Sequence, residues 1–346
     1  MEPGPGGVSP PKPGEAARQL CFFEMSELKM TGYSALREHA AWIDLSGRGK
    51  IRVTGDDRAR LLHAMTTQHI QQMRPGDGAY AFFLNAQGRI LCDANIFCFA
   101  DHFLLDTEPE TRAKLYEHLD RYIIADDVTI EDATEKLATI AVEGPEAGAA
   151  LEALGATLPS NDYATAGWGE VTCRDVTVAR VSSTGAGGFF LFVPAAAKED
   201  FLQRLAALPQ ASAADARIVR IEHGRPRYGE EITERFLVQE TGQLQGVHFT
   251  KGCYLGQEIV ERVRSRAQIH RILRRLEIER SDSGPVLAPP ELGTKLKSGD
   301  AEAAEIVSAV YSPAFDKIVA LAYVRTPFAE PGTEIVTAQF TATVRS

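Results

Sequence analysis

The run Lys251-Gly252-Cys253-Tyr254-Leu255-Gly256-Gln257-Glu258 brings together an amine, a thiol, a phenol, an amide and a carboxylate. The thiolate is the reactive form of cysteine, and a cation such as Lys251 beside Cys253 would favour it. Gly252 and Gly256 permit backbone geometry that side chains would block, or the close approach of another group. Ile259-Val260-Glu261-Arg262-Val263-Arg264 then alternates, which predicts a loop presenting Cys253 ahead of a strand. The plain alternative is a structural turn whose cysteine packs as a small hydrophobe. His248, five residues before Cys253, makes a Cys–His pair conceivable, but no third orienting group is evident.

Elements before this run must position it. Lys50–Thr54 alternates like a strand, and Asp56 and Asp57 would cap a helix over 58–68 with Leu61, Leu62 and Met65 inward. Strands over 79–84, 89–99 and 102–106, joined by Asn85-Ala86-Gln87-Gly88 and Ala100-Asp101, predict an antiparallel meander. Leu115, Leu119, Tyr122 and Ile123 fall at helical spacing over 110–124. Strands at 137–142, 171–181 and 187–193 alternate with helices at 147–154 and 195–208, which suggests a split β-α-β unit. Ser183-Thr184-Gly185-Ala186-Gly187-Gly188-Phe189 is glycine-rich, yet no Lys-Ser/Thr follows and a strand comes next, so a phosphate loop is excluded. Residues 216–224 read as a short helix ending at Gly224, with a turn over 225–229. Short strands separated by turns from about residue 269 onward predict a β-barrel or sandwich.

The bounds are those of an ordinary globular chain. It has 346 residues, 44% hydrophobic and 24% charged, enough for two or three domains. A net charge of −10 argues against general nucleic-acid binding. The basic run Arg262, Arg264, Arg266, His270, Arg271, Arg274 and Arg275 stands out against it, either as an anion-receiving face or as solvated ion pairs. Five scattered cysteines without a Cys-x-x-Cys pair argue against a disulfide framework and a zinc site, and fit a reducing cytoplasm. No apolar run is long enough to span a membrane, and no signal peptide is evident. The first residues, rich in Pro and Gly, read as a disordered leader over 1–28.

The octet KGCYLGQE resembles the signature of the YgfZ-type folate-binding proteins, relatives of the glycine cleavage T-protein associated with iron–sulfur cluster assembly and repair. LNAQGRILCDANIF resembles the folate-binding hairpin of that family, with Cys92-Asp93 where the T-protein carries two adjacent aspartates. Arg220, Glu222 and Gly224 resemble its R-x-E-x-G segment. The family's pterin-holding glutamate falls on Phe190, which weakens the case for aminomethyl transfer.

The resemblance implies an α+β protein of GcvT-like three-unit architecture, with antiparallel sheets, a split β-α-β second unit and a C-terminal β-barrel. Its expected divisions are 29–135, 136–215, a returning segment over 216–268, and 269–346. It implies tetrahydrofolate or a derivative as cofactor, and iron–sulfur client proteins or assembly factors as partners. Asp93, Arg220, Glu222, Tyr254 and Gln257 would hold the folate, while Cys253 and Lys251 would serve a redox or partner-exchange step; no metal site is implied. A carboxylate such as Asp93 suits a pterin because it accepts paired N–H bonds from a guanidine-like edge, and Arg220 offers a planar fork for a carboxylate or carbonyl. The plain readings are a strand-edge Asp93 facing water and a loosely paired surface Arg220. A folate-dependent aminomethyl or methyl transferase and a folate-free scaffold stay open as alternatives.

Overall fold

The computed structural model describes residues 31–169, 175–266, 269–280, 288–337 and 340–345. The expected leader, the start of the 171–181 strand, Cys21 and Cys173 lie outside them. Helix α1 (Gly32–Glu38) leads into strands β1 (Ala41–Asp44) and β2 (Gly49–Thr54). Helix α2 (Arg58–Met65) precedes the meander β3 (Gly78–Leu84), β4 (Ile90–Cys98) and β5 (Phe103–Thr107), and helix α3 (Arg112–Tyr122) returns the chain to β6 (Thr129–Asp132). These strands form one antiparallel sheet of order β3-β4-β5-β2-β6.

The second sheet uses β7 (Leu137–Glu143), then, after helix α4 (Ala147–Ala153), β8 (Thr165–Gly167), β9 (Thr177–Ala179) and β10 (Gly188–Pro194), before helix α5 (Lys198–Arg204). Its order is β1-β7-β10-β9-β8, and every ladder is antiparallel. The expected split β-α-β unit is present. β10 lies between β7 and β9 and is antiparallel to both, paired with β7 from Leu137↔Pro194 to Glu143↔Gly188, so β7 and β9 run parallel with α4 in the connection between them. β1, from the segment expected in the first unit, closes this sheet's edge against β7.

Helix α6 (Ala213–Glu222) opens with a reciprocal Ser212–Asp215 capping box. Helix α7 (Gln257–Arg266) replaces the strand expected after the cysteine loop. Ile259, Val260 and Val263 also satisfy helical spacing, and Glu258–Arg262 and Glu261–Arg264 pair along the helix surface. The aspartate cap expected for α2 is absent too: the Asp57 carboxylate instead accepts the backbone N–H of Asp127 and the Arg60 guanidinium.

The last strands, β11 (Arg271–Arg280), β12 (Lys295–Ser298), β13 (Ala301–Ser312), β14 (Lys317–Arg325), β15 (Glu334–Val336) and β16 (Phe340–Arg345), form one sheet of order β12-β13-β14-β11-β16-β15. Its edge strands β12 and β15 approach each other, so it is a nearly closed barrel around Leu276, Ile306, Val324 and Ile335.

Period-two alternation gives each of the first two sheets two apolar faces. One face of the first packs Phe83 and Ile96 against Leu62 of α2 and Leu115 of α3. One face of the second packs Val142 and Leu191 against Leu151 of α4 and Phe201 of α5. The remaining faces meet each other, with Phe97 edge-on to Phe192 at 5.3 Å between ring centroids. Each such fully buried side chain contributes about 1.5–3 kcal/mol. Where these faces diverge, they leave a cavity.

Candidate functional site

The cavity measures about 490 Å3. Its walls come from the β1–β2 connection, from β3 and β4, from the turn 181–184, and from α6 with the 225–230 turn after it. Antiparallel alternation decides which residue of Cys92-Asp93 reaches it. Cys92 opposes Phe83 and points into the apolar core under α2 and α3, where burial pushes its thiol pKa well up. Asp93 opposes Phe82 and lines the cavity at 7% exposure. Tyr80, on the same face, donates its hydroxyl to Asp93 Oδ2 at 2.6 Å. Burial raises the Asp93 pKa to about 6, with the Tyr80 hydrogen bond working the other way.

Arg220 also lines the cavity, but its guanidinium is engaged. It pairs with the fully buried Glu231 at 2.8 and 3.1 Å and with Glu230 at 3.0 Å, and donates to the Arg225 carbonyl at 2.8 Å. Opposite runs a chain of alternating charge. Asp106 and Glu108 hold Arg48, and Glu108 with Glu110 holds Arg227. Burial opposes ionisation of Glu108, yet Arg48 and Arg227 keep its pKa below the usual value. Phe190 forms part of the wall with Arg48 over its ring at 5.6 Å. The glycine-rich turn does bind an anion, but an internal one: Ser182, Ser183 and Thr184 all donate to the buried Glu143 carboxylate.

Glu222, expected at the ligand, is elsewhere. Its carboxylate is buried and accepts from Arg37 at 2.8 Å, Tyr33 at 2.6 Å and Ser312 at 2.5 Å, tying α1 and α6 to the barrel. The basic run after the octet does not line the cavity either, and much of it is ion-paired: Arg271 with Glu240 and Arg275 with Glu277.

The octet lies away from the cavity walls. Cys253 is exposed. Lys251 is buried, and its amine donates to the carbonyls of His63 and Thr66 at the end of α2. This corrects the reading of Lys251 as a free cation for the thiol: it caps a helix C-terminus. Burial pushes its pKa down to about 7. Tyr254 packs with Phe82, Val247 and Val260, with the Lys251 amine 4.8 Å from its ring centroid. Gln257 accepts the Tyr254 backbone N–H at 3.3 Å. His248 stands beside His69, ring centroids 5.3 Å apart, and no described hydrogen bond joins it to Cys253. Gly256 meets the β3–β4 hairpin so closely that a Cβ there would lie 2.6 Å from the Asn85 carbonyl oxygen.

A family profile described as the GCVT N-terminal domain matches residues 18–251, and one described as the glycine cleavage T-protein C-terminal barrel domain matches 271–344. The chain belongs to the GCVT family. An aminomethyltransferase of Rubrobacter xylanophilus is 29% identical over 315 residues, 88% of this chain and 81% of that protein. A protein of Arabidopsis thaliana named a putative chloroplastic transferase is 32% identical over 226 residues, 64% of this chain. The match spans 52% of that plant protein. The fold is that of the glycine cleavage system aminomethyltransferase T of Bartonella henselae, with a TM-score of 0.78 over 91% of this chain and 87% of that one, at 20% identity.

In this GCVT-family chain several cavity residues escaped sequence reasoning: Arg48, Tyr80, Glu108, Arg225 and Arg227. Tyr80 carried a signal, because it shares a strand face with Phe82 and so with the residues opposite. The arginines carried none, since their partners are far away in sequence, 119 residues in the case of Arg227 and Glu108.

Proposed function

We propose that the chain binds a reduced folate in the cavity and supports iron–sulfur cluster assembly or repair in client proteins through Cys253. One observation carries the folate reading: a small-molecule-sized cavity whose wall holds Asp93, a buried carboxylate that forms no ion pair among the described residues. Tetrahydrofolate fits this chemistry, with N–H groups for a carboxylate acceptor and a flat ring for walls that include Tyr80 and Phe190. When bound, the folate would supply one-carbon carriage. The chain's part is to accept those N–H groups at Asp93, to orient that carboxylate through Tyr80, and to hold the far wall through Arg48, Glu108 and Arg227. The iron–sulfur half rests on the likeness of KGCYLGQE to the YgfZ-type signature and on the exposure of Cys253. One thiolate does not build a cluster site alone, so its task is a transient contact with a partner.

Anaerobic calorimetry with tetrahydrofolate tests the first half. Saturable binding is expected in wild type and in Cys253→Ala, and its loss in Asp93→Ala; no binding by folded wild type would remove the folate reading. For the second half, cells lacking the protein are complemented with wild type or Cys253→Ala and iron–sulfur enzyme activities are compared. Full rescue by Cys253→Ala would take the thiol out of the function.

A second reading, aminomethyl or methyl transfer, draws on relatives named aminomethyltransferase. Against it stands Phe190, an apolar wall where the resemblance expects an acid. Formation of methylenetetrahydrofolate from an aminomethylated carrier protein would favour transfer, and an unchanged carrier would count against it.

A further inference from the structure

Charges lining a cavity are informative when nothing in the protein neutralises them. Asp44 pairs with Lys198, Arg48 with Asp106 and Glu108, and Arg227 with Glu108 and Glu110. Arg217 and Arg220 share Glu230, and Arg220 also holds Glu231. Among the described residues, the charged cavity-lining groups left without an ion pair are Asp93 and Arg225. A charge withdrawn from water without a counter-charge costs stability; Asp93 is buried and Arg225 half-buried, and a ligand that pairs with both would offset that cost.

Both groups rest on one side chain. Asp93 accepts the Tyr80 hydroxyl, and the Arg225 guanidinium carbon lies 5.9 Å from the Tyr80 ring centroid. Arg225 also hydrogen-bonds to the side chain of Tyr163. Asp93 and Arg225 influence each other electrostatically yet form no ion pair. Their spacing is thus wider than a salt bridge, but both lie within the reach of one tyrosine. That suits the edge of a single heterocycle, not the two ends of an extended molecule. A carboxylate there takes N–H donors and a guanidinium takes a carbonyl oxygen. Adjacent N–H and C=O groups are the edge of a cyclic amide.

We infer that Asp93 and Arg225 form a two-point clamp for the cyclic-amide edge of the ligand's ring, and that Arg220 is a positioning residue for Arg225. This rests on the folate reading and moves the ligand-contacting guanidinium from Arg220 to Arg225. The turn is built for it. Arg220 donates to the Arg225 carbonyl, the Arg225 N–H returns to the Arg220 carbonyl at 3.0 Å, and Glu231 accepts the Arg227 N–H at 2.9 Å. Gly224, at φ +67°, makes the reversal that places Arg225 there. Removing Arg220 strands the buried Glu231 and releases the turn; removing Arg225 leaves the scaffold in place.

The test measures binding of tetrahydrofolate, and of 6-methyltetrahydropterin, which lacks the aminobenzoyl-glutamate tail, to wild type, Arg225→Met and Arg220→Met, with thermal unfolding of each unliganded protein. Loss of a charge-assisted hydrogen bond weakens binding about 10- to 100-fold. Arg225→Met is expected to weaken both ligands by that factor and keep or raise Tm, whereas Arg220→Met lowers Tm. The Arg225 charge favours ionised Asp93, so in Arg225→Met the pH at which residual binding strengthens should move upward. Should Arg225→Met fail to fold, Arg225→Lys, which keeps the charge and loses the fork, carries the same comparison. Weakening for tetrahydrofolate alone would assign Arg225 to the tail and overturn the clamp while leaving the folate reading intact. Unchanged binding of both ligands would overturn it likewise. No binding of either ligand by wild type would overturn both.

Discussion

Asp93 combines 7% exposure with a pKa raised to about 6 against an unfolded value of 3.8, because burial penalises the carboxylate. A group whose pKa is raised on folding favours the fold fully below its unfolded pKa and loses that contribution as pH rises through the folded value. Asp93→Asn does not titrate and keeps an acceptor for Tyr80. Its Tm relative to wild type should therefore climb between about pH 4 and 6 and level off above, by up to about 3 kcal/mol in stability. Scanning calorimetry across pH checks this; a gap that narrows with rising pH would mean that the site stabilises the carboxylate. The same ionisation governs the ligand: affinity for a donor edge should strengthen as pH rises through about 6. At this scale the sequence was half legible. The Cys92-Asp93 pair was visible, and alternation then decides that only Asp93 faces the cavity. Arg220 was visible too, but not the buried Glu231 that holds it.

At the scale of elements, the octet is first a device that joins α2, the β3–β4 hairpin and α7. Lys251 binds the end of α2, and Gly256 fits against Asn85. Lys251→Met keeps the buried stem and removes the donor, leaving the His63 and Thr66 carbonyls unmet. A loss of about 1–3 kcal/mol is expected in urea unfolding, with faster hydrogen exchange at the end of α2. Gly256→Ala meets both a φ of +83° and a backbone oxygen 2.6 Å from the new Cβ. It should cost about 2 kcal/mol or more, and a neutral result would mean that α7 shifts freely from the hairpin. The strand expected over 259–264 was misread because I-V-E-R-V-R satisfies both periods; the close seat of Ile259 against Gly88 belongs to a helix packed on a turn.

Across the whole molecule, Glu222 shows how the barrel is joined to the layers that form the cavity. It collects Arg37 and Tyr33 from α1 and Ser312 from β13 around one carboxylate of α6, and burial with the Glu222 hydrogen bond raises the Tyr33 pKa to about 12. Glu222→Ala strands these groups and should cost about 3–5 kcal/mol. Ligand affinity, measured where the variant is still folded, should stay within a few-fold of wild type; a complete loss of binding would return Glu222 to the ligand site. At this scale the antiparallel meander, the helices over 110–124 and 216–224, the barrel and the motifs were legible in the sequence, because local periodicity and turn chemistry are written in neighbouring residues. The tertiary structure alone decided that β1 closes the second sheet, that the octet lies away from the cavity, and which charges there remain unpaired. The physical reason is that ion pairing and desolvation depend on partners brought together by folding from distant parts of the chain, and period-two or period-3.6 patterns carry no record of them.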